Sequence, residues 1–298
     1  MSNNQIVYLK YIKEFNSYGI AKDEIIKLQR NNLVAEIILP PDVSASNDEN
    51  MPLIGFLLGE DTSKEGKAYY TVSQNYLQTL LNTKARLRFL DYEHPKEQME
   101  KCQGFVLPGG NFDFPEKFFI GGKNLGTGIG KRFLAYETII KEAYKTSKPM
   151  LGICAGAQMI GAVLGKMKMY LYLSKEVPHP CKHKPTEKGE VCMHNLKLIK
   201  ETPIYEIMNI PQTTEFITIN SRHVQAMVLP EVQNQITQHP LVPMTLYAVS
   251  SADNIPEIWG NDKAGILCVQ GHPEDLATAG NQSMQCLYNY VVLKASHK

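Results

Sequence analysis

No run of 18 apolar residues occurs in this 298-residue chain, so nothing in it reads as a membrane-spanning helix. An excess of either charge is also missing, since 31 lysines and arginines stand against 30 aspartates and glutamates. A net charge of +1 provides no basic field to collect phosphates, which excludes nucleic acid and anionic membrane as expected partners. The opening residues, MSNNQIVYLKYIKEFNSYG, lack the unbroken apolar segment of a secretory leader because Lys10, Lys13 and Glu14 interrupt it. Internal repeats, low-complexity tracts and the phosphate-cradling G-x-x-x-x-G-K-[ST] loop are absent as well. The six cysteines, at 102, 154, 181, 192, 268 and 286, are scattered and form no compact disulfide framework. These absences lead to the expectation of a reduced, cytoplasmic protein in which one thiol is available as a nucleophile.

What is present is an ordinary globular mixture, 43% apolar and 20% charged, with room for one large domain or two modest ones. The polar, turn-forming stretch PPDVSASNDEN, Pro40 to Asn50, reads as a linker. It divides the chain into an N-terminal extension with linker, residues 1–50, and a main domain, residues 51–298. The extension holds an amphipathic helical pattern from Lys22 and a short strand from Val34, and at about 40 residues it would be a marginal fold alone. It is expected to pack on the main domain or on a partner.

Beyond the linker, apolar runs at Pro52–Leu58, Ala85–Leu90, Cys102–Gly110 and Lys148–Cys154 alternate with helical patterns from Ser73, Arg132 and Gly156. Such alternation predicts an α/β fold, a doubly wound and mostly parallel sheet covered by helices on both faces. Its functional edge lies at the carboxyl ends of the strands. Alternating segments from Asn195, Glu215, Thr245 and Gly265 predict an antiparallel flank, and a last helix spans roughly Gln282 to Lys294. Trp259 and the methionines 159, 167 and 169 are expected in the core, and EHPKEQMEK from Glu93 on a solvated helix face.

Three segments carry chemistry. In KPMLGICAGAQ an apolar strand runs into Gly152-Ile153-Cys154-Ala155-Gly156 and a helix follows at once. Small residues two before and two after a nucleophile are what a sharp strand-to-helix turn requires. The turn lifts the thiol of Cys154 to a helix N-terminus, where backbone dipoles favour thiolate, and aims the Ala155 N–H at an oxyanion. The second segment is His272-Pro273-Glu274, after the strand GILCVQ. If Pro273 keeps it extended, residues 272 and 274 share a side, so Glu274 can orient His272 as a base. The third is Pro108-Gly109-Gly110, whose backbone N–H groups can supply a second oxyanion donor.

Taken together, Gly152, Cys154, Gly156 and Gln158, followed by His272-Pro273-Glu274, resemble the G-x-C-x-G-x-Q elbow and H-P-E closure of the class I glutamine amidotransferase-like superfamily, whose fold is flavodoxin-like. Asn220, Ser221, His223 and Gln225 look like the N-S-x-H-x-Q segment of its γ-glutamyl-peptide hydrolase branch, peptidase family C26, which includes γ-glutamyl-γ-aminobutyrate hydrolase. The resemblance covers about residues 51–298 and leaves the extension outside. It implies catalytic Cys154, His272 and Glu274, oxyanion donors at Gly110 and Ala155, and substrate contacts from Gly109, Gln158, Ser221 and His223. Gly271 departs from the family, which often has an aromatic residue there.

The implied activity is hydrolysis of a γ-glutamyl amide through a thioester on Cys154, with a small-molecule substrate and no cofactor. One alternative is a glutaminase subunit that delivers ammonia to a separate synthase. Another is a non-catalytic binding or regulatory protein on the same fold. A homo-oligomer is compatible with each. A last cluster, Cys181, His183, Cys192 and His194, offers four soft ligands, but one-residue spacing within each pair departs from zinc knuckles. A polar loop beside the pocket is the preferred reading there, with no metal.

Overall fold

The computed structural model describes residues 6–8, 10–12, 17–23, 36–38, 48–110, 114–122, 130–178, 182–185, 191–228 and 240–297. Its short early strands are β1 (Ile6–Tyr8), β2 (Lys10–Ile12), β3 (Ser17–Ala21) and β4 (Glu36–Ile38). Next come β5 (Leu53–Leu57), the hairpin β6 (Gly59–Thr62) and β7 (Ala68–Ser73), helix α1 (Gln74–Asn82), β8 (Arg86–Leu90), α2 (Pro95–Met99) and β9 (Gly104–Leu107). The middle of the chain contributes α3 (Lys131–Lys145), β10 (Met150–Ile153), α4 (Ala155–Leu164), β11 (Met169–Tyr170) and α5 (Leu173–Glu176). The remainder supplies β12 (Cys192–Leu198), α6 (Ile204–Ile207), β13 (Phe216–Ser221), β14 (Ala226–Met227), β15 (Thr245–Ser250), β16 (Pro256–Asn261), β17 (Ile266–Val269), α7 (Pro273–Thr278) and α8 (Gln282–Ser296).

Among the described residues the main sheet has the order β1-β4-β8-β5-β9-β10-β17-β16-β15-β12-β13. Strands β8, β5, β9, β10 and β17 run parallel, and the last four strands form the antiparallel flank. The sequences dictate this division. Strands β9 (GFVL), β10 (MLGI) and β17 (ILCV) are apolar throughout and buried at every position, as parallel strands under helices must be. In β12 (CMHNLKL), by contrast, Cys192, Leu196 and Leu198 are buried while Met193, Asn195 and Lys197 are exposed, the alternation of a one-sided antiparallel strand. The architecture is therefore α/β, as the alternation of segments predicts, and flavodoxin-like, as the resemblance implies.

Trp259 and the methionines 159, 167 and 169 are core residues. The Glu93 segment folds only in part as expected, since α2 exposes Lys96 and Glu97 but buries Gln98 and Met99. Several elements escape the sequence patterns. The β6–β7 hairpin is too polar on one strand to read as sheet, and β16 (PEIWGN) opens on proline and an acid yet is almost wholly buried. The expected helix begins at Lys22 and Asp23, and its remainder and most of the linker lie outside the described residues. Strand β4 falls within the predicted strand from Val34, and the extension packs on the main domain: β4 pairs with β8, and β3 pairs with β7.

Candidate active site

Strands β9, β10 and β17 are adjacent and parallel, so their carboxyl ends meet at one edge. Gly109-Gly110 follow the first, Cys154 the second and His272 the third. Adjacent strands lie about 4.8 Å apart, which brings together side chains that are far apart in sequence.

Cys154 sits at the N-cap of α4 with φ 51° and ψ −112°, a left-handed conformation that a non-glycine residue adopts only where its surroundings impose it. The two small neighbours are required by close approach. A Cβ on Gly152 would lie 2.8 Å from the Ala157 backbone, and one on Gly156 would run into the carbonyl of Leu107. The elbow is pinned by the Cys154 N–H donating to the Val269 carbonyl at 2.8 Å, which ties it to the strand leading to His272.

His272 lies 2.7 Å through Nδ1 from Glu274 Oε1, and its ring and the Cys154 thiol border the same space above Gly109. All three groups are largely or wholly shielded: His272 is 8% exposed and Glu274 2%, while Cys154 is half-buried and remains reachable. Burial opposes charge on His272, but Glu274 and Cys154 outweigh it and raise the imidazole to about 10. The local backbone corrects one expectation. Residues 272–274 are not extended, because His272 caps α7 and Pro273 fills its first turn, where a missing N–H costs nothing. The carboxylate reaches the ring from that first turn. Behind it, the Tyr288 hydroxyl donates to Glu274 Oε2 at 3.4 Å.

The glycine pair is held from below. The Gly109 N–H donates to the Tyr76 hydroxyl at 3.1 Å, Arg132 donates to the Gly109 carbonyl at 2.7 Å, and Tyr136 donates to that of Pro108 at 2.5 Å. The Gly109 N–H is thus engaged, Gly110 follows it at φ +138°, and Ala155 opens α4 beside Cys154. A Cβ on Gly109 would fall 2.9 Å from Cys154 Cβ and 3.3 Å from His272 Cε1, so that glycine forms the floor of the nucleophile's space.

The other expected contacts stand behind this site. Gln158 is buried and donates to the Gln225 carbonyl at 2.9 Å and to Gln270 Oε1 at 3.1 Å. Ser221 is buried and donates to the His183 carbonyl at 2.6 Å, and His223 lies among His183, His194 and Glu257. Their side chains are engaged inside the fold. Asn220 joins the same support, donating to Asp275 while its carbonyl accepts the His272 N–H at 3.1 Å. Gly271 is explained too: a Cβ there would be 2.6 Å from Ile219 Cδ1 and 2.8 Å from the Asn220 carbonyl oxygen, leaving no room for an aromatic side chain. Of the four soft ligands, Cys181 lies outside the described residues, and the Cys192 thiol donates to the Lys182 carbonyl at 2.7 Å.

Tyr76, Arg132, Tyr136 and Tyr288 were not identifiable from sequence. Each sits at a core position of a helix, and only the strand order shows that those positions border the catalytic edge.

Comparison with known proteins agrees with this geometry. The family model described as Peptidase C26 matches residues 52–274. The chain is 26% identical over 193 residues to gamma-glutamyl peptidase 4 of Arabidopsis thaliana, covering 63% of this chain and 60% of that protein's length. It is also 26% identical over 255 residues to the protein NtpR of Enterococcus hirae, covering 81% of this chain and 98% of NtpR. In fold it is similar to the glutaminase domain of Trypanosoma brucei CTPS with bound acivicin, at TM-score 0.56 and 13% identity over 83% of this chain and 95% of that one. The structure of PurLQS from Thermotoga maritima matches at TM-score 0.52 and 13% identity, over 82% of this chain and 98% of the matched one. With a family model spanning most of its length and a glutamine amidotransferase-like fold beneath it, the chain belongs to the peptidase C26 family.

Proposed function

We propose that this protein is a cysteine hydrolase that cleaves a γ-glutamyl amide bond through a thioester on Cys154. The observation that carries the reading is the meeting of Cys154, His272 with Glu274, and the Gly109-Gly110 loop at the ends of three adjacent parallel strands. Nucleophile, base, orienting acid and backbone donors then share one site.

In this mechanism the Cys154 thiolate, paired with the His272 imidazolium, attacks the γ-carbonyl carbon and forms a carbon–sulfur bond. The resulting oxyanion is held by the N–H groups of Ala155 and Gly110. Collapse breaks the carbon–nitrogen bond while His272 gives its proton to the departing amine. Neutral His272 next takes a proton from water, whose oxygen attacks the thioester. Free γ-carboxylate and the Cys154 thiolate are regenerated beside the imidazolium. Glu274 holds the ring in the productive tautomer through Nδ1. The γ-glutamyl class is favoured by the family and by the name of the plant relative. Gln158 and Gly109 shape the acyl side in this reading, with Ser221 and His223 acting through the wall.

The test is steady-state turnover of a chromogenic γ-glutamyl anilide beside free glutamine. Anilide cleavage exceeding glutamine turnover, and abolished in Cys154→Ala, is the expected result. Glutamine turnover alone would favour a glutaminase subunit working with a separate synthase. Turnover surviving in Cys154→Ala would overturn the thioester route.

A further inference from the structure

The mechanism above leaves unused a buried polar cluster on the far side of the pocket wall. Glu257, on β16, has no solvent exposure, and one of its carboxylate oxygens is approached by three imidazole nitrogens. These are His183 Nδ1 at 3.4 Å, His194 Nε2 at 3.1 Å and His223 Nε2 at 3.4 Å. The side chains of all three histidines are 6% exposed or less. Among the described residues, neither Glu257 oxygen takes part in a well-directed hydrogen bond, and the same holds for His194 Nε2 and His223 Nε2. The nitrogens crowd one oxygen without aiming an N–H at it.

The outer hydrogen bonds account for this. His223 Nδ1 faces the Gln225 carbonyl at 2.9 Å, and a carbonyl accepts only, so the proton of neutral His223 is on Nδ1 and the lone pair of Nε2 points inward. His183 Nε2 lies 2.9 Å from Asp253 Oδ2, which favours the proton on Nε2 and leaves Nδ1 toward Glu257. Lone pairs converging on a buried carboxylate repel it unless a cation stands between them.

We propose that His183, His194, His223 and Glu257 form a closed site for a divalent transition metal, zinc first. Three imidazoles and a carboxylate are a donor set suited to zinc. With metal–ligand distances near 2.1 Å, the edge of a tetrahedral site is ~3.4 Å, which the three nitrogen–oxygen separations of 3.1 to 3.4 Å approach. The ligand atoms of His183, His223 and Glu257 all lie within 4.8 Å of one another; His194 stands outside that group and joins the site through its 3.1 Å approach to the same Glu257 oxygen. Asp253 and the Gln225 carbonyl play the orienting roles that surround bound metals. Four protein ligands leave no open position, so the site is structural. It fastens the segment 182–185 to β12, β13 and β16, and through the Gln225 carbonyl, shared with Gln158, it reaches the nucleophile's helix. The ligand set replaces the cysteine-containing one that sequence spacing offers, because the Cys192 thiol is directed to a backbone carbonyl.

The experiment is metal analysis of the untagged full-length chain, stripped with a chelator, incubated with zinc and desalted. One zinc per chain is expected, lost in His223→Ala and in the near-isosteric Glu257→Gln, and retained in Cys192→Ser. Cobalt(II) added to the stripped native chain should give visible bands of tetrahedral nitrogen–oxygen coordination without thiolate charge transfer, a reading that needs no variant. Retention in Cys154→Ala separates this proposal from the catalytic one. Substoichiometric zinc in the native chain, a thiolate band, or zinc kept by Glu257→Gln and lost by Cys192→Ser would each overturn it.

Discussion

At the scale of single residues, the proposed catalytic pair rests on charges that are buried together. His272 has its imidazole raised to about 10 despite burial, by Glu274 and Cys154, so it is an imidazolium at neutral pH and can serve as an acid toward the leaving amine. A histidine with a raised value stabilises the fold fully below the ordinary 6.5, and that contribution is lost as pH climbs through about 10. Replacing Glu274 with glutamine removes the leading cause of the increase. The stability gap between native and Glu274→Gln protein, followed by thermal unfolding across pH, is therefore expected to be widest below 6.5 and to close toward 10. Turnover should drop about 10²–10⁴-fold in the same variant, with KM much less affected, as measured by steady-state kinetics.

At the scale of elements, the elbow between β10 and α4 depends on an absence of side chain. Adding a methyl at Gly156 drives it into the Leu107 carbonyl, backbone that cannot swing aside. We expect Gly156→Ala to cost about 1–3 kcal/mol in denaturant unfolding and to lower kcat by displacing Cys154. Gly109→Ala meets side-chain atoms of Cys154 and His272 instead, so its effect is expected in kcat with a smaller loss of stability. Helix α7 shows how a local signal can mislead in detail and still serve the site. Proline at its first turn reads equally as a stop or a start, and the preceding strand decides between them by delivering His272 as the cap.

Across the whole molecule, the early strands cover edges. Strand β4 lies against β8, and β3 lies against β7, burying Ile20. A chain beginning at residue 48 would expose both edges, and exposed edges invite pairing between molecules. Lower thermal stability and self-association of that truncated chain, seen by unfolding and size-exclusion chromatography, are the expected outcomes. A truncated chain as stable and monodisperse as the full one would show that these strands are dispensable. No helix among the described residues is long and apolar enough to cross a membrane.

The reach of sequence reading follows from how local each signal is. Apolar runs state their own burial, so β5, β9, β10 and β17 were legible, and small residues flanking Cys154 announced the turn that carries it. The His272–Glu274 pair was legible as neighbours in sequence, but not its geometry, since His272 caps α7 and the carboxylate reaches the ring from the first turn of that helix. Nothing local marks Arg132 as the support of Gly109, or Glu257 as the centre of three histidines drawn from three segments. Those contacts exist because strand order places β16 beside β17 and β12 two strands further on. The amino-acid sequence by itself therefore determined the strand-and-helix alternation and the residues able to do chemistry. Which of them share an edge, which retreat behind the wall, and which are left facing a buried charge was decided only by the tertiary structure, because long-range pairing in a sheet depends on the burial of the whole chain and not on any one segment.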